Sequence, residues 1–204
     1  MGIPITIPGL TSIIPEIPDG NVILIEGDIN PIKSIFAQLL AGAAHNHGKE
    51  VFFITSRAEE EIKDQLQRYI GSSSFQIIKE RSSHHWKNFI KKNNITIIDS
   101  FSYLILNKTL TEVQTIMEEL DTICKQENAI LLLTMEYGML DEKVRVTASH
   151  IADGIFHFMQ HDTKKGVAWF IRIPKWLNKT SFEQNIYYDF DGIRINVDLR
   201  TRVT

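Results

Sequence analysis

The stretch Val22-Ile23-Leu24-Ile25-Glu26-Gly27-Asp28-Ile29-Asn30-Pro31-Ile32-Lys33-Ser34 decides the fold. Its first five residues are a short apolar run of the kind that forms a buried strand. The next eight fall on the phosphate-loop template G-x-x-x-x-G-K-[ST]. They keep the first Gly, the Lys and the Ser, and put Ile32 in place of the second Gly. A helix-forming stretch, 33–47, follows, with Gly48 as its stop. Strand, loop and helix come in the order that a phosphate-binding loop requires.

A phosphate cradle is a concave nest of backbone N–H groups at a helix N-terminus. Its curl asks for a residue that tolerates positive φ, which Gly does easily and a β-branched residue does badly. Ile32 is therefore expected to resist the curl and to push its side chain towards the phosphates. Pro31 brings no N–H to the cradle. Lys33 still offers a point charge, and Ser34 a hydroxyl for Mg²⁺. Residues Gly27, Asp28, Ile29, Asn30, Pro31, Ile32, Lys33 and Ser34 are thus expected to form a vestigial loop that has lost tight Mg-nucleotide binding.

Outward from the loop, short apolar runs alternate with amphipathic stretches, which argues for helices layered on a mostly parallel sheet. The strands are predicted at 22–26, 51–55, 75–79, 95–98 and 129–134. Ser56-Arg57-Ala58-Glu59 and Thr111-Glu112-Val113-Gln114 match capping boxes that open helices. In the second helix Val113, Ile116, Met117, Leu120, Ile123 and Cys124 fall at helical spacing and predict its buried face. Beyond residue 153 the pattern turns antiparallel, with strands predicted at 154–160, 167–173, 185–190 and 193–198. Asp191-Gly192 is read as the hairpin turn between the last two.

The chain has 204 residues, 43% of them hydrophobic and 23% charged, which suits one globular domain over 1–204. A net charge of −3 gives no overall pull towards nucleic acid or an anionic membrane. One cysteine, Cys124, allows no internal disulfide, and no apolar run reaches membrane-spanning length, so a cytoplasmic location is expected. The seven histidines lack the i, i+4 spacing of a zinc enzyme, and Cys124 is read as core. The basic groups Lys87, Lys91, Lys92 and Arg194, Arg200, Arg202 are read as solvated faces, balanced by Glu59-Glu60-Glu61.

With these elements placed, the chain resembles the RecA/KaiC-type ATPases, in particular their archaeal KaiC-like and archaellum-ATPase-like branch. The resemblance rests on Ile7-Pro8-Gly9-Leu10 with Ile17-Pro18-Asp19-Gly20 before the first strand, and on the loop itself. It also rests on Ile95-Thr96-Ile97-Ile98-Asp99-Ser100 as the Walker B strand, on Ile151-Ala152-Asp153-Gly154-Ile155, and on Asp191-Gly192-Ile193-Arg194-Ile195. It implies a RecA-like three-layer α/β/α fold, with a mostly parallel central sheet extended by C-terminal antiparallel strands. It also implies a Mg²⁺ site at Ser34 and Asp99, vestigial like the loop.

The chain departs from that family at two further places. Where a carboxylate after the second strand orients the attacking water, Arg57 and Ala58 stand; Glu59 is nearby and is read as the partner of Ser56. The family's K-x-R element is Lys175-Trp176-Leu177, without the Arg. Phosphoryl transfer depends on charge and positioning at the γ-phosphate, so these losses point to a pseudo-ATPase with no catalytic residue and no bound cofactor. Its role is then regulatory or structural, through contact with itself or with an active KaiC/RecA-like paralogue. One alternative is a divergent ATPase that binds ATP and Mg²⁺ through Lys33, Ser34 and Asp99, with Glu59 or Glu60 orienting water. The other is a DNA-binding recombinase paralogue.

Overall fold

The computed structural model describes residues 2–28, 30–71, 75–80, 85–164, 166–177 and 182–198. A small hairpin of β1 (Ile3–Pro4) and β2 (Glu16–Ile17) leads into β3 (Asn21–Gly27), then α1 (Ile32–Asn46) and β4 (Val51–Thr55). Next come α2 (Glu59–Ile70), β5 (Gln76–Lys79), β6 (Ile95–Asp99), α3 (Phe101–Ile105), α4 (Leu110–Glu127), β7 (Ile130–Glu136) and α5 (Glu142–Ile151). The chain ends in β8 (Gly154–Thr163), β9 (Gly166–Trp176), β10 (Phe182–Phe190) and β11 (Ile195–Asp198).

Nine strands form one sheet in the order β11-β10-β9-β8-β3-β7-β6-β4-β5. From β8 to β5 every pairing is parallel, and β8 to β11 add an antiparallel extension. Burial on both faces explains the continuous apolar strands. Ile23 and Ile25 of β3 face the cluster that includes Phe36 and Leu40 of α1, while Val22 and Leu24 face Met117 and Leu120 of α4. The same period-2 split recurs in β7, with Ile130 and Leu132 on one side and Leu131 and Leu133 on the other. Each such side chain contributes about 1.5–3 kcal/mol by leaving water. The three-layer RecA-like arrangement with a mostly parallel sheet is therefore present, as expected.

Several boundaries differ from the sequence reading. The capping box of α4 is Thr109 with Glu112: the Thr109 N–H donates to Glu112 Oε2 at 2.7 Å, and the Glu112 N–H donates to Thr109 Oγ1 at 3.3 Å. Thr111 already lies inside the helix and cannot act as its cap. No box forms at Ser56 either; α2 starts after Ala58, which is extended, and Ser56 and Arg57 form the turn that brings Arg57 inward. The Asp191-Gly192 turn is a four-residue connection, because Phe190 pairs with Ile195. Asp191 Oδ1 holds it by accepting the Ile193 and Arg194 N–H groups at 2.9 and 2.7 Å. The predicted α4 face is largely correct: Val113, Met117, Leu120 and Cys124 are buried, and Ile116 and Ile123 pack at its margin.

The signature Asp153-Gly154 is a splice between β8 and β3. Asp153 Oδ2 accepts the Val22 N–H at 2.9 Å, and the Asp153 N–H donates to the Val22 carbonyl at 2.8 Å. A Cβ on Gly154 would lie 2.9 Å from both Ile23 Cδ1 and a ring carbon of Trp176, so any larger residue would force these side chains to shift.

Candidate functional site

The parallel strands end on one sheet edge, where an open α/β fold binds its ligands. Gly27 ends β3 so close to β8 that a Cβ would run into the Phe158 carbonyl oxygen. Asp28 is exposed, Ile29 lies outside the described residues, and Asn30 and Pro31 lead into α1. Asn30 Oδ1 accepts the Ile32 N–H at 3.1 Å, and the Pro31 carbonyl accepts the Ile35 N–H at 3.0 Å. Ile32 is the first residue of α1. Among the described residues the non-glycines with positive φ are Asn93, Asn128 and Leu177, so Ile32 does not take the positive-φ curl that it was expected to resist. Its side chain is 5% exposed and packs with the core beneath α1.

Lys33 is turned back into its own loop. Its Nζ donates to the Asp28 carbonyl and, at 3.5 Å, to the Asn30 carbonyl, and the residue is 1% exposed. Burial pulls its ammonium pKa down, against the fields of Glu136, Asp99 and Asp28, which raise it.

Ser34 and Asp99, 65 residues apart in the chain, do meet: Ser34 Oγ donates to Asp99 Oδ2 at 2.7 Å. Thr134 Oγ1 donates to Asp99 Oδ1 at 2.6 Å, and Gln38 Nε2 donates to Ser34 Oγ at 3.2 Å. Arg57 enters from the end of β4, its Nη1 3.5 Å from both Asp99 Oδ2 and Ser34 Oγ. Ser34 Oγ and both Asp99 carboxylate oxygens thus have protein partners, and the Arg57 guanidinium already stands beside them. The residues as arranged do not fit Mg²⁺.

Sequence reasoning missed Thr134, Glu136 and the inward course of Arg57. Glu136 ends β7, and its carboxylate accepts from Ser100 Oγ. Glu59, offered as a water-orienting acid, instead pairs with Lys63 at 2.6 Å on the outside of α2. Glu60 is exposed on the same helix. Lys175 donates to the His150 carbonyl at 2.6 Å and so fastens the end of α5. Arg200 and Arg202 lie outside the described residues. Lys87 pairs with Glu119, and Lys91 sits 4.9 Å over the Phe52 ring, so neither is balanced by the Glu59–Glu61 run.

Two further features adjoin the loop. A cavity of about 370 Å³ is lined by Asn30, Pro31, Ile32, Trp169 and Tyr188 among others, and the Tyr188 hydroxyl is buried without a partner among the described residues. On the opposite sheet face Glu26 is 2% exposed; burial pushes its pKa up to about 7, and Arg145 works against that shift. Tyr137 donates to Glu26 Oε1 at 3.2 Å, and its hydroxyl also contacts His157 Nε2.

Among solved structures, the chain is similar to the flagellar accessory protein FlaH from Methanocaldococcus jannaschii. That match has 20% identity and a TM-score of 0.78, over 98% of this chain and 99% of that one. It is also similar to the KaiC-like protein PH0186 from Pyrococcus horikoshii OT3, with 17% identity and a TM-score of 0.79, over 97% and 99%. At such identities the likeness establishes the fold, a RecA/KaiC-like one. No curated protein matches the chain. No helix among the described residues is long and apolar enough to cross a membrane. Residues 17–203 match the model of a family of unknown function, DUF7125, and the chain belongs to that family.

Proposed function

We propose that this protein is a non-hydrolysing RecA/KaiC-like domain, a pseudo-ATPase with a regulatory or assembly role exercised through protein–protein contact. One arrangement carries the proposal: the phosphate loop is closed on itself. Its lysine is bonded to the carbonyls of Asp28 and Asn30, its Ile32 N–H is taken by the Asn30 side chain, and Pro31 has no N–H to give. A cradle binds phosphate through free N–H groups and an outward ammonium, and here the ammonium and the Ile32 N–H are engaged internally. Asp28, Asp99 and Glu136 also surround Lys33 with negative charge, which works against a triphosphate.

The surfaces of such a domain are then its means of action, towards a second copy or an active KaiC/RecA-like paralogue. The likeness to an accessory protein of a flagellar system is in keeping with a supporting role. Calorimetric titration with Mg-ATP tests the proposal, using wild type beside a Pro31→Ser, Ile32→Gly variant. Silence from wild type and binding by the repaired loop are expected. Micromolar binding by wild type, or ATP turnover abolished by Asp99→Ala, would overturn it.

A further inference from the structure

We propose that Arg57 is the resident cation of the Ser34–Asp99 corner, a tethered guanidinium that stands where a divalent metal ion would be held and keeps such ions out. The inference rests on the pseudo-ATPase proposal for the same site but concerns the metal rather than the nucleotide.

The corner needs positive charge. Asp99 is 5% exposed, and a buried carboxylate without a counter-charge is costly. Thr134 and Ser34 satisfy its oxygens by hydrogen bonding but bring no charge. Lys33 acts on Asp99 through its field, while its own hydrogen bonds go to loop carbonyls. Among the described residues, Arg57 Nη1 is the positively charged atom within ion-pair distance of Asp99, at 3.5 Å.

Arg57 is also fixed from behind. Its backbone N–H donates to Thr55 Oγ1 at 3.1 Å, which sets the turn after β4. Its Nε donates to Glu61 Oε1 at 3.2 Å, and its Nη2 bonds the same oxygen. One edge of the planar guanidinium is therefore held by Glu61 in the first turn of α2, and the other nitrogen faces Ser34 and Asp99. A divalent ion placed on Ser34 Oγ and Asp99 Oδ2 would lie within a few ångströms of Nη1. Binding would then cost either like-charge repulsion or loss of the Arg57 pairings.

Removing the guanidinium should open the corner to metal. The test is Mn²⁺ titration followed by electron paramagnetic resonance, with wild type, Asp99→Asn, Arg57→Gln and Arg57→Gln/Asp99→Asn, and no nucleotide present. Wild type should leave Mn²⁺ free up to about 1 mM, the single variant should bind at least about tenfold tighter, and the double variant should lose that gain. Wild-type binding that Asp99→Asn abolishes would overturn the proposal, and needs no Arg57 variant to be folded. A folded Arg57→Gln protein with no gain in Mn²⁺ affinity would overturn it too. Neither result bears on Mg-ATP binding or turnover by wild type, which is what decides the pseudo-ATPase proposal.

Discussion

Arg145 Nη1 lies 3.5 Å from Glu26 Oε1, so α5 sets a guanidinium over the carboxyl end of β3. His157, on the next strand, has its Nδ1 3.9 Å from the same oxygen. Burial moves the two titrations in opposite directions. Glu26 rises from 4.5 to about 7, with Arg145 opposing, while His157 falls from 6.5 to about 4, helped by Arg172 and opposed by Asp28.

These shifts give a stability profile with compensating slopes. From about pH 4.5 to 7 the folded state keeps a proton on Glu26 that the unfolded chain has released, so this contribution falls as pH rises. From about pH 4 to 6.5 the unfolded chain holds a proton on His157 that the folded state lacks, so that contribution grows. Urea unfolding across this range should show Glu26→Gln gaining stability with pH and His157→Gln losing it, each by about 1–3 kcal/mol. Two variants with the same slope as wild type would refute the assignment.

The start of α4 gives a sharper contrast. Thr109→Ala removes the cap and should cost about 1 kcal/mol, whereas Thr111→Ala, two residues along, should stay within about 0.5 kcal/mol. Chemical denaturation of the pair decides the matter, and equal losses would contradict the observed helix start.

Gly27 and Gly154 are held by close approach. Gly27→Ala would drive a methyl group into the Phe158 backbone, and Gly154→Ala would press on Ile23 and Trp176. A loss of about 1–3 kcal/mol is expected for each, larger at Gly27, because its neighbour is backbone and cannot rotate away. Equilibrium unfolding of the two variants measures this directly.

Cys124 is fully buried on the α4 face, and burial pushes its thiol pKa well above the usual range. A thiol reagent should therefore label native protein only as fast as the chain opens, with full labelling in denaturant. Rapid stoichiometric labelling without denaturant would place the residue elsewhere.

Much of this molecule was legible because the signals are local. The runs around Val22, Val51, Ile95 and Ile130 are apolar at successive positions, which only strands covered on both faces require. Gly27, Lys33 and Ser34 stand at fixed offsets after one of them and mark the loop. The helix starts were less legible, since two overlapping Thr-x-x-acid or amide patterns, 109–112 and 111–114, compete, and only the backbone course after α3 selects the first. At position 32, where a β-branched residue is read as resisting a positive-φ curl, α1 begins and Ile32 takes a helical conformation.

By itself, then, the sequence determined the strands of the main sheet and the three helices α1, α2 and α4, because periodicity and turn chemistry act over a few residues. It left α3, α5 and the β1–β2 hairpin unread, and the RecA-like arrangement came from the family resemblance. Only the tertiary structure decided what surrounds Asp99. Parallel pairing sets Thr55 beside Asp99 and Ile98 beside Leu133, so residues just beyond those strand ends become neighbours whatever their separation in the chain. Thr134, next along β7, and Arg57, two residues past β4, meet Asp99 for that reason, and α1 brings Ser34 to the same carboxylate. Hydrogen-bond register between strands, which no local pattern encodes, is what put a guanidinium into the corner.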